Sequence, residues 1–94
     1  MGLDALEEIG DIYKDQLKDY TKAAEYYAKI AELYPASEKA PDMLLKAGNI
    51  CEDDLNDDNK AIEYYQLVID NYPDHKRAAT AEKNIKKAEE KMSK

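Results

Sequence analysis

The sequence predicts an all-α fold of five helices, arranged as two helical hairpins followed by one closing helix. Three observations lead to this prediction. Ala, Leu, Glu and Lys, which favour helices, dominate the composition. A set of residues recurs at a fixed offset of 38 positions. Within each recurring unit, apolar residues are spaced three and four positions apart, as they are along one face of a helix.

The repeat rests on six identities at one offset. Between the Gly and the Ala of each unit lies a polar stretch, residues 15–22 in the first unit and 53–60 in the second. Each unit is therefore predicted to be a helix, a turn and a second helix. The identities are Gly10, Ala23, Tyr26, Tyr27, Tyr34 and Pro35, which recur as Gly48, Ala61, Tyr64, Tyr65, Tyr72 and Pro73.

One domain is expected to cover residues 1–94, with a first repeat at about 3–35, a second at about 38–73 and a capping helix at about 75–92. Prolines mark the boundaries, where a missing N–H costs least. The predicted helices are 3–16, 20–34, 38–54, 58–71 and 75–92.

Asp19 and Asp57 occupy equivalent positions just before the second helix of each unit. A carboxylate at this position can accept hydrogen bonds from the unpaired backbone N–H groups of the helix start and interacts favourably with the helix dipole. We predict that both residues are N-caps.

The charge and the cysteine content exclude several classes of protein. Lys and Arg number 14 against 21 Asp and Glu, a net charge of −7 that opposes binding to nucleic acid or anionic lipid. No apolar run reaches the roughly 18 residues of a membrane span, so we expect a soluble chain with no membrane insertion. Cys51 alone cannot form an internal disulfide. Localisation stays open, because a bacterial cytoplasmic protein and a periplasmic one with its signal removed would look alike.

Two sets of residues resemble the signature of the tetratricopeptide repeat family. The signature places a bulky residue, an apolar residue, a Gly and an aromatic in one helix, and an Ala, an aromatic and a Pro in the next. The matching residues are Leu6, Ile9, Gly10, Tyr13, Ala23, Tyr27 and Pro35, then Leu44, Ala47, Gly48, Cys51, Ala61, Tyr65 and Pro73.

The resemblance covers nearly the whole chain. It implies a right-handed α-α superhelix of two tetratricopeptide-like hairpins plus a capping helix, in which Gly and Ala let the helices cross closely. The chain departs from the family in its Leu in place of Trp, in Cys51, in its period and in a third unit reduced to one helix. Its Tyr-Pro turns are similar to those of bacterial periplasmic and lipoprotein members, such as the Tol-Pal cell-division coordinator and the barrel-assembly lipoprotein.

The two ends of the array are predicted to differ. The last helix has one apolar stripe, Ala78, Ala81, Ile85, Ala88 and Met92, and carries Glu82, Lys86 and Glu89 where the earlier units have core residues. A wettable face of this kind is typical of a terminal repeat. The first helix has two stripes. They are Leu3, Leu6, Gly10, Tyr13 and Leu17, and separately Ala5, Ile9 and Ile12.

The second stripe of the first helix is a candidate contact face. Ala5, Ile9 and Ile12 match the residues Met43, Ala47 and Ile50, which are expected to be buried between the repeats. Exposed apolar patches usually mark contacts, so either the chain comes from a longer array, or a second copy or another domain covers this face. A homodimer through the first helix is one of these alternatives.

In this family the first helices of the units line a concave groove, and the resemblance implies a peptide-binding site there. Its acidic side would attract a basic peptide or partner helix, although a charged stretch can also be simply a solvated helix face. The lysine and asparagine clamp with which one subfamily grips a terminal carboxylate is absent. The implied groove residues are Asp4, Glu7, Asp11, Lys14, Asp42, Leu45, Asn49, Glu52, Lys83 and Lys87.

No catalytic, cofactor or metal site is predicted. An EF-hand beginning at Asp54 would need Gly at its sixth position and Glu at its twelfth, where the chain has Asn59 and Tyr65. Cys51 is expected to pack in the core, and His75 to lie solvated in a turn. We therefore predict a non-enzymatic protein–protein interaction module. The alternative is a structural C-terminal repeat segment of a larger assembly, or one that self-associates through the first helix.

Overall fold

The computed structural model describes residues 2–93 and contains five α-helices in this part of the chain. Each helix packs against the next one in the sequence, and α3 also touches α5. The first layer is α1, α3 and α5, and the second is α2 and α4. The helices are α1 (Leu3–Asp15), α2 (Tyr20–Leu33), α3 (Lys39–Asp53), α4 (Asp58–Asn71) and α5 (Lys76–Met92).

The predicted all-α hairpin superhelix is confirmed, and every helix boundary agrees with the sequence-based prediction to within one residue. The molecule measures 40 × 32 × 15 Å. It is thin in one direction because only two layers of helices lie across it. Within the described residues no helix combines the length and the apolar character that crossing a bilayer requires.

Both predicted aspartate N-caps are present. Asp19 Oδ1 accepts a hydrogen bond from the backbone N–H of Lys22 at 3.1 Å, and Asp57 Oδ1 accepts one from Lys60 at 3.0 Å. Each bond satisfies a donor that the first turn of a helix leaves unpaired. The two caps make the starts of α2 and α4 equivalent.

The turns before these caps use a left-handed backbone conformation. Lys18 has φ of 54° and Asn56, its equivalent in the second repeat, has φ of 53°. This conformation lets the N–H of the following aspartate reach back into the preceding helix, where Asp19 bonds to the carbonyl of Tyr13 and Asp57 to that of Cys51, both at 2.8 Å. Asparagine tolerates this conformation better than lysine, so the first turn carries more strain than the second.

The start of α5 has a cap that was not predicted from the sequence. His75 is its N-cap, and the His75 Nδ1 atom accepts a hydrogen bond from the backbone N–H of Arg77 at 3.0 Å. His75 lies in the turn before α5, as predicted, and is half-buried. Histidine is not among the usual capping residues, and nothing in the sequence indicated this hydrogen bond. Its imidazole nitrogen performs the same task as an aspartate oxygen.

The core is built on two equivalent helix crossings. Tyr27 and Tyr65 are fully buried, and so are Ala23 and Ala61 on the same helices. A Cβ atom placed on Gly10 would lie 2.7 Å from Tyr27 Cε1, and one on Gly48 would lie closer still to the ring of Tyr65. The glycines therefore provide the space that the tyrosine rings fill.

The apolar stripes are confirmed except at their ends. On α1, Leu6 and Gly10 are buried, but Leu17 is 61% exposed, because the helix stops at Asp15 and the helical spacing no longer applies. On α5, Met92 is 48% exposed because it lies at the end of the helix. The predicted polar face of α5 is confirmed, since its residues are exposed: Glu82, Lys86 and Glu89.

Candidate functional site

The residues proposed to bind a peptide lie on three helices of one layer. We call the side of these helices that faces away from α2 and α4 the groove face. The predicted residues are Asp4, Glu7, Asp11 and Lys14 on α1, Asp42, Leu45, Asn49 and Glu52 on α3, and Lys83 and Lys87 on α5.

Two equivalent ion pairs connect successive helices of this layer. Lys39 Nζ lies 3.7 Å from Asp4 Oδ1, and Arg77 Nε lies 2.6 Å from Asp42 Oδ1. Both members of the second pair are displaced by 38 positions from those of the first. The pair therefore belongs to the repeat. The pair was not predicted from the sequence, in which the 38-residue offset repeats both of its members but does not show that they are in contact.

A second set of contacts joins α1 to α3. Lys39 Nζ also donates a hydrogen bond to Glu7 Oε1 at 2.9 Å, and this contact raises the pKa of Lys39. Lys46 Nζ lies 3.8 Å from Asp11 Oδ1 and 4.8 Å from the centre of the Tyr27 ring. Each cation comes from α3 and reaches the side of α1 that carries the carboxylates.

Lys91 makes the corresponding connection between α5 and the second repeat. Its Nζ atom lies 2.9 Å from Glu52 Oε2 and 3.1 Å from Asp58 Oδ1. The hydrogen bond to Glu52 is the main cause of a raised pKa for Lys91. The groove face is consequently less acidic than the sequence predicted, because the fold brings cations from α3 and α5 to carboxylates that sequence counting treats as unpaired.

The buried tyrosines reach the groove face with their hydroxyl groups. Tyr27 donates a hydrogen bond to the carboxylate of Asp11. The Tyr65 hydroxyl lies 2.8 Å from both Asn49 Oδ1 and Glu52 Oε1. Burial, reinforced by the carboxylate that accepts each bond, raises the pKa of both tyrosines above the ordinary value. Core side chains thereby hold surface side chains in position.

One predicted groove residue lies elsewhere. Leu45 is 8% exposed and belongs to the hydrophobic core. The projection from the family pattern treated it as part of the contact surface, whereas its apolar side chain turns inward. Leu45 therefore contributes packing rather than an accessible surface.

The sign of the exposed charges on the groove face changes from one end of the face to the other. The side chain of Asp4 on α1 is 93% exposed and that of Asp11 is 46% exposed. Asn49 in the middle of α3 is exposed, and so are Lys83 and Lys87 on α5. The face runs from acidic at α1, through an amide, to basic at α5.

The predicted N-terminal contact face is accessible. Ala5 and Ile9 are half-buried and Ile12 is 44% exposed. The adjoining side of α2 continues this surface, since the rings of Tyr26 and Tyr13 stack with their centres 5.5 Å apart. We call the surface formed by Ala5, Ile9 and Ile12 of α1 with Lys22, Tyr26, Lys29 and Leu33 of α2 the N-terminal face.

The structure also has an apolar cleft that the sequence analysis did not find. It lies between α2 and α4, on the side opposite the groove face, and has a volume of about 770 Å³. The Tyr72 hydroxyl closes one end by donating a hydrogen bond to the carbonyl of Pro35 at 2.7 Å. The lining residues include Ala28, Ala31, Leu44, Tyr64, Leu67 and Tyr72.

Cys51 packs in the core, as predicted, and is 2% exposed. Burial, together with the nearby charge of Asp57, raises the pKa of its thiol to about 11. The thiolate is the reactive form, so the folded protein offers little nucleophile at neutral pH. Within residues 2–93, no group of three or more His, Cys, Asp and Glu side chains is arranged to hold a metal ion.

This pKa predicts an alkaline loss of stability. A thiol whose pKa is higher in the folded than in the unfolded state stabilises the fold fully below the unfolded value of about 9, and this stabilisation is lost as the pH rises through 11. Urea denaturation at pH 8 and at pH 10.5 should show a larger decrease in the free energy of unfolding for the native chain than for Cys51→Ala. Equal decreases would contradict the prediction, because ionisation of the tyrosines would then account for the whole loss of stability at high pH.

Comparison with known proteins agrees with this architecture. The family model described as tetratricopeptide repeat matches two segments, residues 4–37 and 42–75. Each segment contains one helical hairpin with its Gly and Ala crossing. A search of the curated proteins found no significant match to the chain. The two adjacent matches together span most of the sequence and lie on helices that are stacked as the repeat requires. They show that the chain belongs to the tetratricopeptide repeat family.

Proposed function

We propose that the groove face binds a peptide or helical segment of another protein, with basic residues of the ligand against α1 and acidic residues against α5. Tetratricopeptide repeats are generally protein–protein interaction modules and typically form non-enzymatic scaffolds. The finer proposal is carried by one observation, the change from exposed carboxylates on α1 to exposed lysines on α5. The α1 carboxylates Asp4 and Asp11 stay available to a ligand because their ion pairs with α3 are long, at 3.7 and 3.8 Å.

Contacts between the helices of the face support the proposal. Ion pairs from Lys39 and Lys46 link α1 to α3, and those from Arg77 and Lys91 link α3 to α5. A surface that is already ordered loses little conformational entropy when a ligand binds. Ordered side chains therefore favour recognition of a specific partner over a merely solvated surface.

Asn49 is suited to contact the backbone of a ligand. It is exposed at the centre of the face, and its Oδ1 atom lies against the Tyr65 hydroxyl. The amide nitrogen of the same side chain is a donor for a peptide carbonyl. A backbone contact at the centre, with charges of opposite sign on either side, would select ligands by the order of their basic and acidic residues along the chain.

The experiment is selection from a peptide library on the immobilised protein, followed by titration of the enriched sequences. We expect enriched peptides to carry basic residues at one end and acidic residues at the other. Lys83→Glu with Lys87→Glu should weaken their binding by about tenfold or more, because two favourable charge contacts become repulsive.

The matched control is Lys86→Glu, which makes the same type of change on α5 but outside the groove face. Its affinity should stay close to that of the native chain. If the Lys83 and Lys87 double variant bound the selected peptides as tightly as this control does, the groove face would not be the binding site.

An alternative role is structural, as the C-terminal repeat segment of a larger assembly or as a self-associating unit that uses α1. The exposure of Ile12 favours this alternative. Association of two copies is the form of this role that the residues specify in most detail, and it does not depend on peptide binding.

A further inference from the structure

The N-terminal face joins an apolar centre to charges of opposite sign on its two borders. Ile12 of α1 is 44% exposed and Leu33 of α2 is 53% exposed. Helical spacing places Lys22, Tyr26, Lys29 and Leu33 on the side of α2 opposite Ala24 and Ala31, which are buried. The apolar residues of both helices therefore share one surface.

The border on the α1 side is acidic, and on the α2 side the charges next to the apolar residues are basic. Glu8 and Asp15 flank the apolar stripe of α1, and both are exposed. Lys22 and Lys29 flank the apolar residues of α2, and both are exposed as well. In each helix the two charges are seven residues, about two turns, apart and so lie on one side. Glu25 is also exposed and lines the same shallow pocket as Lys22 and Lys29, but helical spacing places it further from Tyr26 and Leu33 than either lysine is.

We propose that two copies of the chain associate through their N-terminal faces with two-fold symmetry, so that α1 of each copy lies antiparallel on α2 of the other. The symmetry axis runs parallel to the two helices and between them. Rotation about this axis places the acidic border of one copy over the basic border of its partner. The interface is thus complementary in charge to itself, as a two-fold contact requires.

The hairpin determines which charges meet. Gly10 lies at the level of Tyr27, since the two contact each other across α1 and α2. Rotation without a shift along the axis keeps these levels. Glu8 then faces the partner's Lys29, and Asp15 faces the partner's Lys22. The same register sets Ile12 against the partner's Tyr26 and Ala5 against the partner's Leu33.

The packing proposed between copies has a counterpart within the chain. There α3 packs on α2 through Met43, Ala47 and Ile50, which are buried. These residues are displaced by 38 positions from Ala5, Ile9 and Ile12. The stripe on α1 therefore has the spacing of a surface that already packs on a helix of this type.

A closed pair explains the apolar surface better than an open chain of copies. In a head-to-tail arrangement the N-terminal face would meet the exposed side of α5 that carries Glu82, Lys86 and Glu89. The apolar residue beside them is Ala79, whose small side chain does not match Ile9 and Ile12. A two-fold contact covers the stripe in both copies at once.

Sedimentation velocity over about 1 to 100 µM protein is the first measurement, since mass action makes association depend on concentration. We expect the mass to rise towards twice the 10.7 kDa of the single chain. The association should weaken at high salt because its charge pairs are near solvent. A mass that stays at one chain over the whole range would overturn the proposal.

Charge reversal tests the arrangement itself. One variant carries Glu8→Lys and Asp15→Lys, and the other carries Lys22→Glu and Lys29→Glu. Each alone should dimerise at least about tenfold more weakly, because every pair across its interface becomes like-charged. Mixed together they should form a heterodimer, since all four pairs are then opposite in charge. Circular dichroism should first show that both variants are folded. If the native chain then dimerises and the mixture of the two variants does not, this geometry is refuted.

Ile12→Asp and Leu67→Asp form a matched pair for the apolar centre. The two residues have similar exposures, 44% and 41%, but Leu67 lies in the cleft between α2 and α4. We expect Ile12→Asp to abolish dimerisation and Leu67→Asp to leave it unchanged. The opposite outcome would assign the contact to the cleft and remove the N-terminal face from consideration.

Discussion

Replacement of Tyr65 by alanine is expected to destabilise the protein by about 3–5 kcal/mol. The Tyr65 side chain is fully buried, its ring packs against Gly48, and its hydroxyl contacts Asn49 and Glu52. A domain of this size has a total stability of about 5–15 kcal/mol, so the variant would lose much of its folded population. Urea denaturation followed by circular dichroism at 222 nm, which monitors helix content, measures the effect.

Tyr65→Phe is the matched control. It keeps the ring and removes only the hydroxyl. Asn49 is exposed and Glu52 keeps its ion pair with Lys91, so we expect a loss of about 0.5–1.5 kcal/mol. If the phenylalanine variant were as unstable as the alanine variant, the hydrogen bonds to the groove face would contribute more than the packing of the ring. Comparing the losses of stability in the two variants therefore separates the contribution of the ring from that of the hydroxyl.

Gly48→Ala is expected to lower stability by about 1–3 kcal/mol, although alanine is the better helix former. The added methyl group would overlap the ring of Tyr65, which cannot turn aside without losing its contacts to Asn49 and Glu52. For a domain of this size, each 1 kcal/mol lowers the melting temperature by about 4–8 °C. Thermal unfolding followed by circular dichroism provides the measurement.

Two other glycines calibrate this result. Gly2→Ala should cost at most about 1 kcal/mol, because nothing lies within 4 Å of the added atom and the only loss is that alanine is a poorer N-cap for α1 than glycine. Gly10→Ala should fall between the two, since its methyl group would lie 2.7 Å from Tyr27 Cε1, a less severe approach than at Gly48. A melting temperature for Gly48→Ala at or above that of the native chain would show that the crossing is not as tightly packed as we infer.

The candidate site was only partly predictable. The repeat offset and the family pattern located the face formed by α1, α3 and α5, because helical periodicity assigns each residue to a side. They did not reveal its charge balance. Lys39, Lys46, Arg77 and Lys91 are far in sequence from the carboxylates that they contact. Such pairs depend on the distance between helices, which periodicity does not contain.

Leu45 and the apolar cleft illustrate the same limit. An apolar residue on the border between two sides of a helix can turn inward or outward, and Leu45 turns inward because neighbouring helices leave room there. The cleft exists because α2 and α4 are held apart by the helix that lies between them, so no single segment of the sequence encodes it.

The sequence by itself determined the helices, their order, their aspartate caps and the two Gly and Ala crossings. All of these follow from local propensity, helical spacing and a repeat offset. Only the tertiary structure decided which charges neutralise one another, which tyrosine hydroxyls reach the surface, and that Leu33 and Leu67 stay exposed. Those properties depend on distances between residues from different helices, and such distances are set by packing.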